Sequence, residues 1–283
     1  MTYKTQAADT TIEADKKYFD LLGKVSIETK IKQYITTNRK VKSIQWQLLK
    51  TRFPELDKNQ LKQKYITIIL GEKFAQISEL INIEFMINDP VDIAIKIGKI
   101  LDNLNILYFV GGGLASSFWG EPRQTNDADI IVSLTTNDIK KLITAFEREF
   151  YISDTAVEDA IQGKANSFNV IHTASVIKAD IHPINFSNLF EKISLSRRQK
   201  IYPLDSSEQY FYVASPEDII LHKLIWYRIA DNQSAKQWRD ILGVLKAQGK
   251  KLDFNYLKHW QNELKISSDL QRAFDESGTS KND

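Results

Sequence analysis

Residues 107–132 read LYFVGGGLASSFWGEPRQTNDADIIV, and this run restricts the fold more than any other stretch of the chain. An apolar segment ends in Gly111, Gly112 and Gly113, one short helix's worth of residues follows, and two aspartates one residue apart then enter a second apolar segment. Side chains on a strand alternate between its faces, so Asp127 and Asp129 point one way while Ala128 and Ile130 point into the protein. Two carboxylates on one face repel, and hard divalent cations such as Mg²⁺ relieve that repulsion. Glycines between a strand and a helix leave backbone N–H groups free to approach an anion, whose charge the helix dipole favours.

A third carboxylate lies in VIKADIHPI, where Asp180 shares a face with Lys178 and His182 while Ile177, Ala179 and Ile181 take the other. If this strand pairs beside the one carrying Asp127, the three acids converge, an arrangement that holds two cations roughly 3.5 to 4 Å apart in phosphoryl-transfer sites. Around them the residues carry two readings each. Ser116 and Ser117 are either hydroxyl donors to phosphate or ordinary small helix residues, and Arg123 either neutralises a phosphate or pairs with Glu121 at the surface. Thr125 carries a weaker signal, and the histidines His172 and His182 are not counted as ligands. A dinucleotide-binding loop competes, but Gly111-x-Gly113-x-x-Ser116 lacks the third glycine, and the next acids come too early for a ribose contact about 20 residues on.

The rest of the chain reads as helices around a mixed sheet. Ile27, Ile31, Tyr34 and Ile35 form one helical stripe, Ile44, Leu48 and Leu49 a second ending at Phe53-Pro54, and Leu61, Tyr65, Ile68 and Ile69 a third ending at Gly71. Asn88-Asp89-Pro90 is a helix start, followed by Ile93, Ile97, Ile100, Leu101 and Leu104 at helical spacing. Strand-like runs cover 106–110, 130–132, 168–171 and 176–184, with a helix over 137–150. Ser215-Pro216-Glu217-Asp218 opens a helix, another spans 235–248, and the first fifteen residues read as a frayed lead-in. With 283 residues the chain is long enough for two modules: a basic helical one over 1–85, with Met86 at the start of the second, then 86–275, with 276–283 a disordered tail. Twelve basic residues against four acidic ones between Lys24 and Lys73 give the front module a preference for anions, through nucleic acid, an acidic protein or simply a solvated face.

The absence of cysteine excludes disulfides and thiolate sites, so any metal takes oxygen or imidazole ligands. The first twenty residues lack a signal-peptide core, and no apolar stretch reaches the roughly 18 residues of a membrane span, so a cytoplasmic protein is expected. Lys223 stands out because it falls on the stripe of Ile219, Ile220, Leu224 and Tyr227. A lysine there needs an anion, either a triphosphate or a carboxylate of the site, or must reach solvent along its stem. Arg239 and Asp240 read as a structural pair, and Arg197, Arg198 and Lys200 as a second basic cluster.

The glycines, short helix, Arg-x-Thr-x-Asp-x-Asp and later strand aspartate, in this order, resemble the polymerase-β-like nucleotidyltransferase superfamily over residues 106–184. SPEDIILHKLIWYR followed by QWRDILGVL is similar to the C-terminal part of bacterial abortive-infection type nucleotidyltransferase toxins, which extends the resemblance to about 88–270. It implies an α/β (α+β) nucleotidyltransferase fold: a mixed sheet flanked by helices, with an N-terminal helical module and C-terminal helices. It also implies an enzyme moving a nucleoside monophosphate from an NTP, ATP included, to a hydroxyl, with release of pyrophosphate. Asp127, Asp129 and Asp180 would hold two Mg²⁺ ions, or Mn²⁺, with Asp180 helping to activate the acceptor. Gly112, Gly113, Ser116, Arg123 and Lys223 would bind the nucleotide. Where the superfamily has serine directly after its first glycine, this chain has Gly113. The implied acceptors are tRNA or other RNA, a protein side chain or a small molecule such as an aminoglycoside, with RNA favoured by the basic clusters. TRFPELDKNQLKQKYITIILGEKFA is loosely similar to small helical proteins that accompany such transferases, which implies an antitoxin-like partner or regulation in cis by 1–85. The alternative is a catalytically silent nucleotide-binding or interaction module with the same fold.

Overall fold

The computed structural model describes residues 2–72, 74, 89–203 and 208–279. Three helices lead: α1 (Ile12–Lys24), α2 (Ile27–Arg52) and α3 (Lys58–Leu70). Ser26 caps α2 by accepting from the Thr29 N–H, and Asp57 with Gln60 closes a reciprocal cap on α3. The two stripes expected over 27–35 and 44–49 lie on one continuous helix, because no glycine or proline interrupts the intervening residues. Its buried side includes Ile31, Tyr34, Ile35, Asn38 and Leu49, whereas Ile44 and Leu48 are more than half exposed.

The front helices share a core with the sheet. Ile31, Tyr34 and Ile35 belong to the same buried cluster as the strand side chains, the Tyr34 ring stands edge-on to Phe118 at 5.8 Å, and its hydroxyl donates to the Thr125 carbonyl at 3.3 Å. Burying such side chains contributes about 1.5–3 kcal/mol each, so α2 is docked firmly on the sheet layer. The boundary expected at 85/86, together with Met86 and Asn88, lies outside the described residues. On its far side Asp89 accepts from the N–H groups of Val91 and Asp92, Pro90 opens α4 (Pro90–Asn103), and Arg39 of α2 reaches back to Asp89 and Asp92.

The mixed α/β architecture is as expected. The strands are β1 (Tyr108–Val110), β2 (Asp127–Val132), β3 (Phe150–Ile152), β4 (Phe168–His172), β5 (Lys178–Pro183), β6 (Gln199–Ile201) and β7 (Phe211–Val213). They form one sheet in the order β3-β4-β5-β2-β1-β7-β6, with β2–β5 and β1–β7 parallel and the other neighbours antiparallel. Between and after them run α5 (Gly112–Trp119), α6 (Ile139–Phe146), α7 (Asp154–Ile161), α8 (Leu189–Ser196), α9 (Pro216–Ile229), α10 (Ala235–Gln248), α11 (Phe254–Glu263) and α12 (Ser267–Ser277).

The sheet has two differently dressed faces. Tyr108 is the register partner of Val132, and its hydroxyl fills the space where a Cβ on Gly98 of α4 would stand, so α4 covers the face bearing Ala128, Ile130 and Val132. Phe109 points the other way, 6.1 Å from His222 of α9, and that second face carries Asp127 and Asp129.

Several local expectations are corrected. The helix expected over 137–150 ends at Phe146, and Phe150 instead opens β3 opposite His172, its apolar ring serving the sheet. The strand expected from 176 starts at Lys178, since Val176 (φ 61°) lies in the turn between β4 and β5. Residues of the supposed frayed start are tied down: Lys4 N–H donates to the Glu276 carbonyl, and buried Asp15 meets buried Lys246 at 2.7 Å. The tail expected to be disordered from 276 likewise loses its first residues, as Glu276 and Ser277 end α12 and Glu276 accepts from the Trp238 indole. Residues 280–283 lie outside the described residues.

Candidate functional site

The parallel register of β2 and β5 sets Asp127 opposite Lys178 and Asp129 opposite Asp180. Register partners on neighbouring strands, about 4.8 Å apart, project from the same face, so Asp127, Asp129 and Asp180 share the α9 side of the sheet. Burial pushes the Asp180 carboxyl above its usual range, and Asp129 and Asp127 add to the rise, while the Lys178 ammonium at 2.8 Å opposes it. Burial also works against an ionised Asp129. There His182, Lys223 and the Gly113 N–H outweigh it and hold the carboxyl low.

Each acid has its own partner. Thr125 donates to Asp127 Oδ1 at 2.7 Å, His182 Nε2 lies 3.7 Å from Asp129 Oδ1, and Lys178 holds Asp180 Oδ2. Among the described residues, no three His, Asp or Glu side chains are drawn together as a metal-binding group. The donor chemistry nevertheless fits a hard divalent cation: three carboxylates on adjacent strand positions, all oxygen, and no cysteine in the chain.

The glycines wrap Asp129. The Gly111 N–H donates to the Asp129 carbonyl at 2.8 Å, and Gly112 adopts φ 54°, a left-handed conformation that glycine enters without strain. A Cβ on Gly112 would fall onto the Asp129 carboxylate, and one on Gly113 would lie 2.7 Å from Arg123 Nη2. The Gly113 N–H points at Asp129 Oδ2 from 3.4 Å, so the first turn of α5 faces the acids. Ser116 lies inside this turn, 2% exposed, with its hydroxyl donated to the Gly112 carbonyl at 2.6 Å; Ser117 does the same to Gly113.

Arg123 pairs with neither a surface acid nor free space. Its guanidinium grips Asp240 of α10 through two bonds of 2.7 Å, and Lys223 reaches the same carboxylate at 2.7 Å with Gln237 as a further acceptor. The suggested Arg239–Asp240 pair is therefore corrected, and so is Arg123–Glu121: Arg239 is the residue that pairs with Glu121. One acid between two cations leaves surplus positive charge, which acts on Asp129 from Lys223 and on Asp127 from Arg123.

Two residues on the face of Asp180 were given no role from the sequence and belong here. Lys178 and His182 share the strand face of Asp180, and the alternation that selected Asp180 selects them too. His172 sits elsewhere, bonded to Ser175 at 2.8 Å. The dinucleotide-loop alternative fails on topology, because β1 and β2, which flank the glycine helix, run antiparallel where that motif needs a parallel pair.

No family model matches the chain, and no curated protein matches it. Solved structures with similarity include an antigenic nucleotidyltransferase-like protein from Paracoccidioides brasiliensis, 17% identical, covering 65% of this chain and 91% of that one with a TM-score of 0.40. Another is ANT(2'')-Ia in complex with adenylyl-2''-tobramycin, at 13% identity, 63% and 98% coverage and a TM-score of 0.42. A third is the lincosamide antibiotic adenylyltransferase LnuA with lincomycin bound, at 14%, 56% and 99%, with a TM-score of 0.37. Overlaps this loose assign no chemistry, which must come from the side chains themselves.

Proposed function

We propose that this chain is a divalent-cation-dependent nucleotidyltransferase of the polymerase-β-like type, moving a nucleoside monophosphate from an NTP to a hydroxyl acceptor. The observation that carries the reading is the β2–β5 register, which sets Asp129 beside Asp180 with Asp127 on the same face, next to the glycine turn that opens α5. Asp127, Asp129 and Asp180 would hold the metals. Bound there, divalent ions neutralise charge on the transferring phosphoryl oxygens and on the departing pyrophosphate.

The chain's own groups do the rest. Gly112 and Gly113 present backbone N–H groups to the triphosphate with no side chain in the way. Lys223 and Arg123, sharing one counter-ion, leave positive charge for the same anion. Ser116 contributes through its backbone N–H, or through its hydroxyl after a turn away from the Gly112 carbonyl. The acceptor oxygen attacks the α-phosphorus, the bond to the bridging oxygen of the β-phosphate breaks, and Asp180, on the same sheet face, would take the acceptor's proton. An NTP requirement would suit the cytoplasmic nucleotide pool; among the described residues no helix is long and apolar enough to cross a membrane.

Residues 1–85 act on the site in cis in this reading, through the bonds from Tyr34 to Thr125 and from Thr125 to Asp127. Tyr34→Phe, which keeps the ring packed, tests that coupling better than deletion, which would strip α2 from the shared core. A toxin-like role predicts that expressing the full chain arrests bacterial growth and that Asp129→Ala restores it.

Transfer of label from radiolabelled NTPs to cell RNA, to protein and to hydroxylated small molecules, with Asp129→Ala alongside, tests the reaction. A second reading, a silent nucleotide-binding module, is favoured by the separate partner each acid already has. NTP binding without Asp129-dependent labelling of any acceptor would establish it in place of the enzyme.

A further inference from the structure

On the sheet face turned away from the three aspartates, α4 and α6 enclose an open groove of about 1200 Å³ that runs to Glu208, Gln209 and Tyr210, just before β7. That is larger than the ~300–1,000 Å³ of a small-molecule pocket, and it is open along its length. Its charges are unevenly satisfied. Asp102 accepts from the Tyr210 hydroxyl, Glu149 is held by Lys96, and Glu208 is engaged as well. Lys141 is paired with Asp138. Among the described residues Lys99, Lys140 and Arg148, all exposed, have no counter-ion, and they outnumber Asp102, whose printed partner is a neutral hydroxyl, so positive charge predominates in the groove.

The groove ends on an aromatic ladder. Lys200 is the register partner of Tyr212, so by alternation Arg198, Lys200 and Tyr202 of the β6 strand line share a face with Tyr210 and Tyr212. Tyr202 and Tyr210 have ring centroids 6.0 Å apart, and Tyr210 and Tyr212 are 5.8 Å apart. Lys200 lies 3.6 Å from the Tyr210 ring and Arg198 4.6 Å from Tyr212. Arg197, from the same basic cluster, is already taken by Glu217 and Asp218. Tyr202 is 38% exposed at the end of the ladder.

We infer that this groove and ladder form a docking surface for a single-stranded nucleic acid, separate from the carboxylate face. Phosphates meet Lys99, Lys140 and Arg148, and a base stacks on Tyr202 beside the Lys200 ammonium. An acidic peptide would use the cations, but it gives the aromatic ladder nothing to stack. Flat bases use both, since every base offers a π-face and stacking is worth ~1–3 kcal/mol per base. The surface stands whether or not the aspartates transfer nucleotides, and it holds the body of a strand away from the reacting end.

The test is fluorescence anisotropy with fluorescein-labelled oligo(U) of about 12 nucleotides, within the span single-strand binders cover. The full chain is used in EDTA, so that metal binding at the carboxylates plays no part. Replacing Lys99, Lys140 and Arg148 together by alanine is expected to weaken binding by roughly tenfold or more at low salt, and to flatten the salt dependence by about two in log–log slope. Tyr202→Ala should weaken binding while Tyr202→Phe keeps it. Unchanged melting by circular dichroism confirms that these exposed substitutions leave the fold intact. The inference is overturned if wild type does not bind oligo(U), or if the triple variant binds as well as wild type. It is equally overturned if a duplex binds as tightly and Tyr202→Ala has no effect, if polyglutamate competes as strongly as RNA, or if Lys40, Lys50 and Lys58 to alanine removes binding instead. Nucleotide transfer can fail in its own assay with all of these results intact.

Discussion

Asp129 and Asp180 are register partners on two parallel strands, so two carboxylates from separate parts of the chain stand side by side on one sheet face. Chain connectivity cannot relax them apart, because the β2–β5 ladder runs on through Ile130, Ile131 and Val132. The repulsion between them is a fixed feature of the fold.

Stability should record that repulsion. Burial, with Asp129 and Asp127, raises the Asp180 carboxyl in the folded state, so the fold holds that proton more tightly than the unfolded chain does. Its contribution is favourable below the ordinary carboxylate pKa of about 3.9 and is lost as pH climbs through the raised folded value. Asp180→Asn is therefore expected to gain stability relative to wild type between about pH 4 and pH 7 in urea melts without divalent ions. A constant difference across that range would mean that Lys178 fully compensates the charge.

Mg²⁺ should reverse the same penalty. Thermal unfolding of wild type is expected to shift upward with millimolar Mg²⁺ at pH 7 and less at low pH, where a proton on Asp180, whose carboxyl burial raises, competes with the cation. Asp129→Asn should abolish the shift. A shift that survives that substitution would place the cation elsewhere.

Gly112→Ala combines two faults. It forces φ 54° on a residue with a Cβ, costing about 1–2 kcal/mol, and it drives that Cβ into the Asp129 carboxylate. Displacing Asp129 by about an ångström is expected to lower transfer by roughly 100-fold, beyond what the stability loss explains. Steady-state labelling rates well below the melting point separate the two effects.

Asp240 holds buried Lys223 and half-buried Arg123, so its loss should be severe. Asp240→Ala leaves Lys223 and Arg123 facing each other, at about 3–5 kcal/mol, the usual penalty for breaking a buried pair from one side. Burial already lowers the Lys223 pKa against the pull of Asp240. Without Asp240 it should fall further, and because the fold then binds fewer protons than the unfolded chain, the variant should recover part of its stability as pH rises toward about 10. Denaturant midpoints across that range, with Lys223→Met in the Asp240→Ala background as the comparison, check the assignment.

A second buried pair fastens the chain's first helix. Asp15 of α1 meets Lys246 of α10 at 2.7 Å, with both side chains at most 3% exposed, and the Tyr3 hydroxyl donates to the same carboxylate. Lys246→Met is expected to destabilise by about 3–5 kcal/mol, and the double change with Asp15→Leu by less, since no charge is left alone. Hydrogen exchange over residues 2–24 should speed up in the single variant. Unchanged protection there would show that the hydrophobic contacts of Phe19 and Leu22 suffice.

Periodicity made much of this protein legible. Alternation in DADIIV and KADIHP fixed which side chains share a strand face, and with it the three aspartates; caps such as Asp89-Pro90 and Ser215-Pro216 marked where α4 and α9 begin. These are local properties, set by backbone geometry within a few residues. Partners in space are a different matter. Nothing near Arg123 in the chain says that its counter-ion is Asp240, and the choice of Asp240 over Glu121 depends on how α10 packs against α5. The docking of α2 on Phe118, the return of the chain's start to α10 and α12, and the meeting of β2 with β5 are likewise long-range contacts. Local residue order is enough to say which side chains point together along each element. Which elements stand side by side emerges from long-range contacts, because that choice is settled by packing the whole core at once.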